Sequence, residues 1–421
     1  MGNNLKTEKL LGFIDGSPTQ FHAAAKVVED LEAQGFVRLV EDCRWQLDAG
    51  GRYFVQRNAS SVLAFVLPET PTASMPLRLV AVHLDSPLLK LKLKGAKCNS
   101  AGLSVIPVDV YGGPILATWL DRPLGIAGML FYEEDGRVVE RLFDCPNAAV
   151  IPNAAVHLSR DINSKGAVYN PQNELNAIIG TNGMNVSEAL GIPEAALSDS
   201  ELFLYDSSKA ALIGTRKEIV NSSRLDNLLS AFAALEALPK FSSEGAQFVP
   251  MAFFADNEEV GSHTLQGADS DFLPCVVRRM LSAFGAKEDD VCAALARSRM
   301  ISADAAHAEH PNYRQFYEPN YAPQMGRGIA LKRNTKFRYA SNGRDCAEFR
   351  NMCNMAGIAC QDFINRADMP CGSTVGATIS AALGIAGVDI GVPMLAMHSI
   401  RETAALCDVA DLQAVFEFFW K

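Results

Sequence analysis

A histidine and an acidic residue follow one of the apolar runs of the sequence. His83 comes directly after the run at 77–82, and Asp85 comes two residues later. In an extended chain these two side chains point to the same side. A histidine beside a carboxylate suits a metal ligand and the group that orients it. The alternative is a surface histidine next to a strand-ending turn, because Ser86 and Pro87 are frequent turn residues.

Two adjacent glutamates, Glu258 and Glu259, follow the apolar run at 248–255. Neighbouring side chains diverge, so one carboxylate could bind a metal ion while the other transfers protons. Metal-assisted hydrolysis requires this division of roles. The alternative is a solvated helix start, capped by Asp256 or Asn257.

Three more residues of types that bind metal ions occupy similar positions in the sequence. Asp226 opens a helical pattern, Asp304 follows the run at 300–303, and His398 follows the run at 389–396. Each has an ordinary explanation: a carboxylate at a helix start, a polar loop, and a packed histidine. Carboxylates combined with imidazoles suit zinc, cobalt or manganese. A bridging carboxylate would allow two ions about 3.5–4 Å apart.

The apolar runs alternate with segments of helical spacing. Strands separated by helices predict an α/β fold whose sheet is covered on both faces, with ligand sites at the strand ends. The predicted strands are 77–82, 248–255, 300–303 and 389–396, and the predicted helices are 225–238, 375–386 and 409–420.

The segment 88–221 differs in composition, because it is rich in glycine, proline and β-branched residues. Short runs at 89–93, 103–111 and 150–158 predict strands within it. We therefore expect a β-rich domain at 88–221, inserted into a discontinuous catalytic domain of residues 1–87 and 222–421.

Composition excludes several classes of protein. The 421 residues hold 38 basic and 48 acidic side chains, a formal net charge of −10, which argues against a nucleic-acid partner. Apolar runs stay below the roughly 18 residues that span a bilayer, so we expect no membrane association. Ten scattered cysteines without CxxC pairs, and no apolar leader, predict reduced thiols in a cytoplasmic protein. Serine-hydrolase elbow and Walker A motifs are absent from the sequence.

The ordered set of these motifs resembles the M18 family of metallopeptidases, the aspartyl aminopeptidases and their vacuolar relatives. The resemblance runs from residue 81 nearly to the end of the chain. It implies an α/β-sandwich catalytic domain, an inserted β-rich lid or dimerisation domain, and a homo-dodecamer assembled from dimers. The matching segments are AVHLDSP, SSRLDNL, FADNEEVGS, SADAAHAEHPNY, KFRYASNG, MPCGSTVGA and GVPMLAMHSIRETA.

The resemblance also implies a cofactor of two divalent metal ions in each subunit, with zinc as the first choice and cobalt or manganese as alternatives. One ion would be bound by His83 and Asp304 and the other by Glu259 and His398, with Asp226 bridging the two.

The same resemblance implies a metallo-aminopeptidase that removes the N-terminal residue of peptides. Glu258 would be the general base for a water molecule that the two ions activate, and Asp85 would orient a ligand. His157 would reach across a subunit interface to stabilise the carbonyl oxyanion in a neighbouring active site. A histidine of the inserted domain without a catalytic role is the alternative.

The family recognises acidic N-terminal residues through a basic group, and Lys336 matches that region. Gly372 and Ser373 match a loop near the substrate. An exposed lysine without this role is the alternative for Lys336. Other functions left open are an aminopeptidase that prefers neutral residues, a related amidohydrolase or carboxypeptidase, and a non-catalytic assembly protein with the same fold.

Overall fold

The structure of the protein, a computed structural model, describes residues 2–181, 183 and 185–421. Its strands are β1 (Val37–Leu39), β2 (Arg52–Arg57), β3 (Ser61–Val66), β4 (Leu77–His83), β5 (Leu88–Leu91), β6 (Lys97–Cys98), β7 (Leu103–Ile106), β8 (Val108–Tyr111), β9 (Leu124–Glu134), β10 (Arg137–Ala149), β11 (Ala177–Thr181), β12 (Glu201–Asp206), β13 (Ala211–Ile213), β14 (Ile219–Ser222), β15 (Val249–Ala255), β16 (Arg299–Ala303), β17 (Ala306–His307), β18 (Ile329–Arg333), β19 (Cys360–Ile364), β20 (Ala386–Gly391), β21 (Pro393–Leu395) and β22 (Glu402–Ala405).

The helices pack on the two faces of the largest sheet, except for three short ones that lie in the segment 88–221. They are α1 (Gly2–Asp15), α2 (Gln20–Ala33), α3 (Ile162–Lys165), α4 (Pro171–Glu174), α5 (Val186–Leu190), α6 (Leu225–Ala237), α7 (Phe272–Ser282), α8 (Glu288–Arg297), α9 (Gly343–Ala356), α10 (Val375–Leu383) and α11 (Leu406–Phe419).

The largest sheet has nine strands in the order β1-β2-β3-β15-β4-β16-β20-β18-β19. Its centre is parallel, because β15, β4, β16 and β20 all run in one direction. In this register Ala255 lies opposite His83, and Ala303 lies opposite Ile390. The carboxyl ends of β15, β4 and β16 therefore meet at one edge of the sheet, where ligand sites of α/β proteins lie.

Each face of this sheet packs against its own hydrophobic core. Val80 and Phe254 point into the core formed with α1, α2, α6, α9 and α11. Leu79 and Phe253 point into the core formed with α7, α8 and α10. Alternate residues of β4 and β15 thus serve opposite faces, which explains why these strands are continuously apolar. The predicted α/β fold with both faces covered is confirmed.

The segment 88–221 forms sheets of its own. One has the order β10-β9-β12-β5-β8 and the other the order β11-β7-β6. Trp119, Ile126 and Phe203 are buried in the core between them. The strands β13 and β14 instead join β22, β21 and β17 in a fourth sheet. The domain limits at 87/88 and 221/222 stay a prediction.

Proline breaks three of the predicted runs. The run at 103–111 forms two strands of different sheets on either side of Pro107, and the run at 389–396 is divided between β20 and β21, before Pro393. A proline has no N–H to donate to a strand ladder. The prediction of a strand at 150–158 is wrong, because only Val150 makes a single bridge and turns follow Pro152.

Among the described residues, no helix is both long and apolar enough to cross a bilayer.

Candidate metal centre

Polar residues gather at the carboxyl edge of the parallel strands. His83 is the last residue of β4, and Asp304 directly follows β16. Glu258 and Glu259 lie in a 3-10 turn that begins three residues after the end of β15. The left-handed backbone of Asn257 (φ 63°) reverses the chain there, so that both glutamates return to the sheet edge.

Asp226 and His398 approach the same place from other elements. Asp226 lies in the first turn of α6, but its dihedral angles (φ −80°, ψ 107°) are not helical. Its carboxylate is buried and takes no part in helix capping, contrary to the alternative considered from the sequence. His398 lies in the turn after β21 with φ 65°, a left-handed conformation that aims its ring at Asp226.

The two carboxylate oxygens of Asp226 face two different groups of side chains. The Nε2 atom of His83 lies 3.5 Å from Asp226 Oδ1 and 3.5 Å from Asp304 Oδ1. The Nε2 atom of His398 lies 3.6 Å from Asp226 Oδ2 and 3.3 Å from Glu259 Oε1. The five residues assigned as metal ligands by resemblance therefore converge, with Asp226 between a His–Asp pair and a His–Glu pair.

The chemistry of this cluster fits a divalent cation. Within the described part of the chain, Asp226 Oδ1 and Glu259 Oε1 are buried and have no hydrogen-bond partner. Ligand atoms of His83, Asp226 and Glu259 all lie within 4.8 Å of one another. A buried carboxylate oxygen without a donor is costly unless a cation compensates it. Imidazole and carboxylate are ligands that zinc prefers.

Asp85 orients residues of the cluster through hydrogen bonds. It is fully buried, and its carboxylate accepts hydrogen bonds from the backbone N–H groups of Glu258 and Glu259 (3.1 Å each) and from the Tyr111 hydroxyl (2.7 Å). The Nδ1 atom of His83 lies 3.0 Å from the Asp85 carbonyl oxygen. Because a carbonyl only accepts, Nδ1 carries the hydrogen and Nε2 faces Asp226.

The carboxylates hold the two histidines in the charged form. Burial would lower the pKa of His83, but the adjacent carboxylates of Asp226, Asp304 and Asp85 outweigh burial and raise the pKa well above its usual value. Burial also opposes the charge of His398, yet Asp226 and Glu259 raise its pKa to about 11.

Metal binding should therefore displace protons. A ligating imidazole must be neutral, whereas His83 and His398 are protonated near neutral pH in the metal-free protein. Metal affinity should rise with pH across the neutral range, since fewer protons then compete. Calorimetric zinc titration in two buffers of different ionisation enthalpy should report release of about two protons per subunit. Equal heats in the two buffers would show that both histidines are already neutral.

Glu258 is suited to accept a proton. Burial raises its pKa well above the usual value, against the opposing effect of His83, and the carboxylates of Asp304 and Glu259 raise it further. A carboxylate with a raised pKa is a stronger base than an exposed one, which is the property a general base at neutral pH needs.

Two buried charged residues of the cluster were missed by the sequence analysis. The Nζ atom of Lys332 lies 3.0 Å from Asp304 Oδ2 and donates to the carbonyl of Ala305 (3.0 Å). Lysine in the apolar strand β18 was the available signal, because such a residue needs a buried partner.

Glu402 is the second of these residues. Its two carboxylate oxygens accept the backbone N–H groups of Asp226 (3.0 Å) and His398 (2.8 Å). Burial and the charge of Asp226 raise the pKa of Glu402 to about 8. It lies inside the matched segment GVPMLAMHSIRETA, but the spacing alone does not reveal its contacts.

The remaining predicted site residues do not contact the cluster within the described part of the chain. Lys336 is exposed in the loop after β18, and its backbone N–H donates to the Asn334 side chain. Gly372 and Ser373 are exposed in the loop before α10. His157 is exposed in a turn of the segment 88–221.

Histidines and carboxylates that converge at the carboxyl edge of an α/β sheet are typical of metal-dependent hydrolases. Residues 13–420 match the family described as aminopeptidase I zinc metalloprotease (M18). Two relatives are each named probable M18 family aminopeptidase 2, one from Ectopseudomonas mendocina (strain ymp) and one from Stutzerimonas stutzeri (strain A1501). Each is 41% identical to this chain, over 98% of this chain and 97% of its own length.

Solved structures show the same relationship. Ape4, solved by cryo-electron microscopy in complex with Nbr1, is 33% identical with a TM-score of 0.93, over 99% of this chain and 85% of the other. The mApe1 dodecamer of S. cerevisiae is 27% identical with a TM-score of 0.84, over 99% and 97% of the two chains. The chain therefore belongs to the M18 family and is a zinc-family metallo-aminopeptidase, a hydrolase that acts on peptides.

Proposed function

We propose that this aminopeptidase binds two divalent metal ions and prefers peptides that begin with Asp or Glu. The observation that carries the two-ion proposal is the position of Asp226, whose two oxygens face separate ligand groups. His83 and Asp304 would hold one ion, and Glu259 and His398 would hold the other. Lys332 beside Asp304 and Glu402 behind Asp226 and His398 would keep these ligands in place.

Bound divalent ions would polarise the scissile carbonyl and acidify the attacking water. Glu258 accepts the proton of that water on its carboxylate and then donates it to the leaving amine. Asp85 fixes the backbone of Glu258 during both transfers, because it holds the N–H group of that residue. The free α-amino group of the peptide would be held near the metal ions and these carboxylates, which would restrict cleavage to the first peptide bond.

We propose in addition that the subunits assemble as dimers into a dodecamer, in which His157 stabilises the oxyanion of a neighbouring subunit. Three apolar side chains of the stretch 156–168, which includes His157, are exposed to solvent: Val156 (52%), Leu158 (84%) and Val168 (91%). Exposed apolar side chains concentrated in one segment are typical of a subunit contact. A related aminopeptidase, mApe1 of S. cerevisiae, is a dodecamer.

A metal-depletion assay tests the function. The metal-free protein would be reconstituted with zinc, cobalt or manganese and assayed on Asp-, Glu- and Leu-anilides, N-acyl amino acids and C-terminal substrates. The proposal expects metal-dependent release of the N-terminal residue alone. Turnover of N-acyl or C-terminal substrates would indicate an amidohydrolase or a carboxypeptidase, and turnover of none would indicate a non-catalytic assembly protein.

The acidic preference is tested at Lys336. Lys336→Ala should lower kcat/KM for Asp- and Glu-anilides about tenfold, the effect of losing about 1.4 kcal/mol of ion pairing. The value for Leu-anilide should stay unchanged, because a neutral side chain has no charge to pair. Lys94→Ala, at another exposed lysine, is the matched control.

Two results would contradict the acidic preference. If the wild-type enzyme cleaves Leu-anilide faster than Asp-anilide, the preference is for neutral residues. If Lys336→Ala lowers the activity on all three substrates equally, Lys336 supports the fold or the assembly rather than recognising the acidic side chain.

A further inference from the structure

A loop of the segment 88–221 reaches the cluster of candidate metal ligands from outside the nine-stranded sheet. Tyr111 is the last residue of β8, the edge strand of its sheet, and its ring packs edge-to-face on Phe203 at a centroid distance of 5.9 Å. The chain then continues through Gly112 and Gly113 beside the candidate ligands. These three residues, 111–113, are called the Tyr111 loop.

The Tyr111 hydroxyl forms hydrogen bonds with two residues at the carboxyl edge of the nine-stranded sheet. It donates to Asp85 Oδ2 (2.7 Å) and accepts from the Asn257 side-chain amide (2.9 Å). Asp85 in turn holds the N–H groups of Glu258 and Glu259. Two successive hydrogen bonds through Asp85 therefore link the hydroxyl to the turn that presents both glutamates.

The two glycines of the loop touch the second ligand group. A Cβ atom on Gly112 would lie 3.1 Å from the Glu259 Cβ and 3.3 Å from its Oε2 atom, and the backbone there has φ +70°. Only glycine allows this close approach without strain. The Gly113 carbonyl lies 3.1 Å from His398 Nδ1, and the N–H of Ile115 donates to the His398 carbonyl (2.9 Å). These contacts leave His398 Nε2 facing Asp226.

We propose that Tyr111 is a positioning residue for the hydrolysis. Its hydroxyl fixes the Asp85 carboxylate, and through Asp85 it sets the placement of the general base Glu258 and the ligand Glu259. The segment 88–221 thereby sets the geometry of the metal centre within its own subunit, apart from any role in assembly. This inference rests on the proposed two-metal function.

Tyr111→Phe tests the inference, because it removes the hydroxyl and keeps the ring on Phe203. The control is Tyr132→Phe, at a half-buried tyrosine of β9 in the same sheet. Both full-length variants would be loaded with zinc for kinetics and with cobalt for visible absorption spectra, and their melting temperatures would be measured.

For Tyr111→Phe we expect kcat to fall about 10- to 100-fold, the usual effect of losing a group that orients metal ligands. KM should stay within about threefold, because Tyr111 orients protein groups rather than the substrate. The cobalt spectrum should change, which a loss of packing alone would not produce. Tyr132→Phe should match the wild type in all three measurements.

The inference is overturned if Tyr111→Phe keeps kcat within about twofold of the wild type. It is also overturned if kcat falls together with the melting temperature while the cobalt spectrum is unchanged. A failure of the proposed function is recognised separately, because the wild type would then show no metal dependence or Glu258→Gln would remain active.

Discussion

Glu258→Gln should keep the bound metal and lose nearly all turnover. Glutamine has the shape of glutamate but cannot accept a proton from water, and Glu258 is not among the five proposed ligands. We expect kcat to fall about 10³-fold, within the range for removal of a general base. Steady-state kinetics on the best aminoacyl anilide, with metal content measured by mass spectrometry of the same sample, would show both effects.

The matched control for this substitution is Glu288→Gln, at an exposed glutamate in the first turn of α8. It makes the same chemical change at a residue outside the candidate metal centre, and it should leave kcat unchanged. If Glu258→Gln retained near-normal activity, another group would be the base. If it lost the metal together with the activity, Glu258 would be a ligand.

Asp226→Asn should empty both metal sites at once. Asp226 supplies one oxygen to each ligand group, so an amide at this position removes the shared negative charge and directs an N–H group at one of the histidines. After dialysis against metal-free buffer the variant should retain almost no zinc and no activity. Metal content per subunit and activity would be measured on the same preparation.

Asp304→Asn provides the comparison within the cluster. Of the two ligand groups, Asp304 belongs to the one that contains His83, so its loss should weaken one site and leave the other able to bind zinc. Asp289→Asn, at an exposed position of α8, controls for the substitution itself. If Asp226→Asn and Asp304→Asn lost equal amounts of metal, Asp226 would belong to one site and would not bridge.

The framework of the site could be predicted from the sequence because it depends on local patterns. Continuously apolar runs identified β4, β15 and β16, and the polar residues that follow them had to meet once these strands were parallel. The predicted strand limits are wrong where proline interrupts an apolar run, as at Pro107, Pro152 and Pro393. In those places hydrophobicity alone does not show that the ladder loses a donor.

The groups that support the ligands could not be predicted in the same way. Tyr111 contacts Asn257, 146 residues away, and Glu402 contacts Asp226, 176 residues away. No local spacing encodes such contacts, because they depend on how separate sheets pack. Lys336 was chosen by resemblance, whereas the buried lysine that contacts the cluster is Lys332.

The proposed two-metal mechanism depends on Asp226 lying between two metal ions. Anomalous X-ray diffraction from zinc-loaded crystals, with data collected on both sides of the zinc absorption edge, tests it most directly. We expect two anomalous peaks in each subunit, one beside His83 and Asp304 and the other beside Glu259 and His398, with the Asp226 carboxylate between them. A single peak in fully active, zinc-saturated crystals would contradict it.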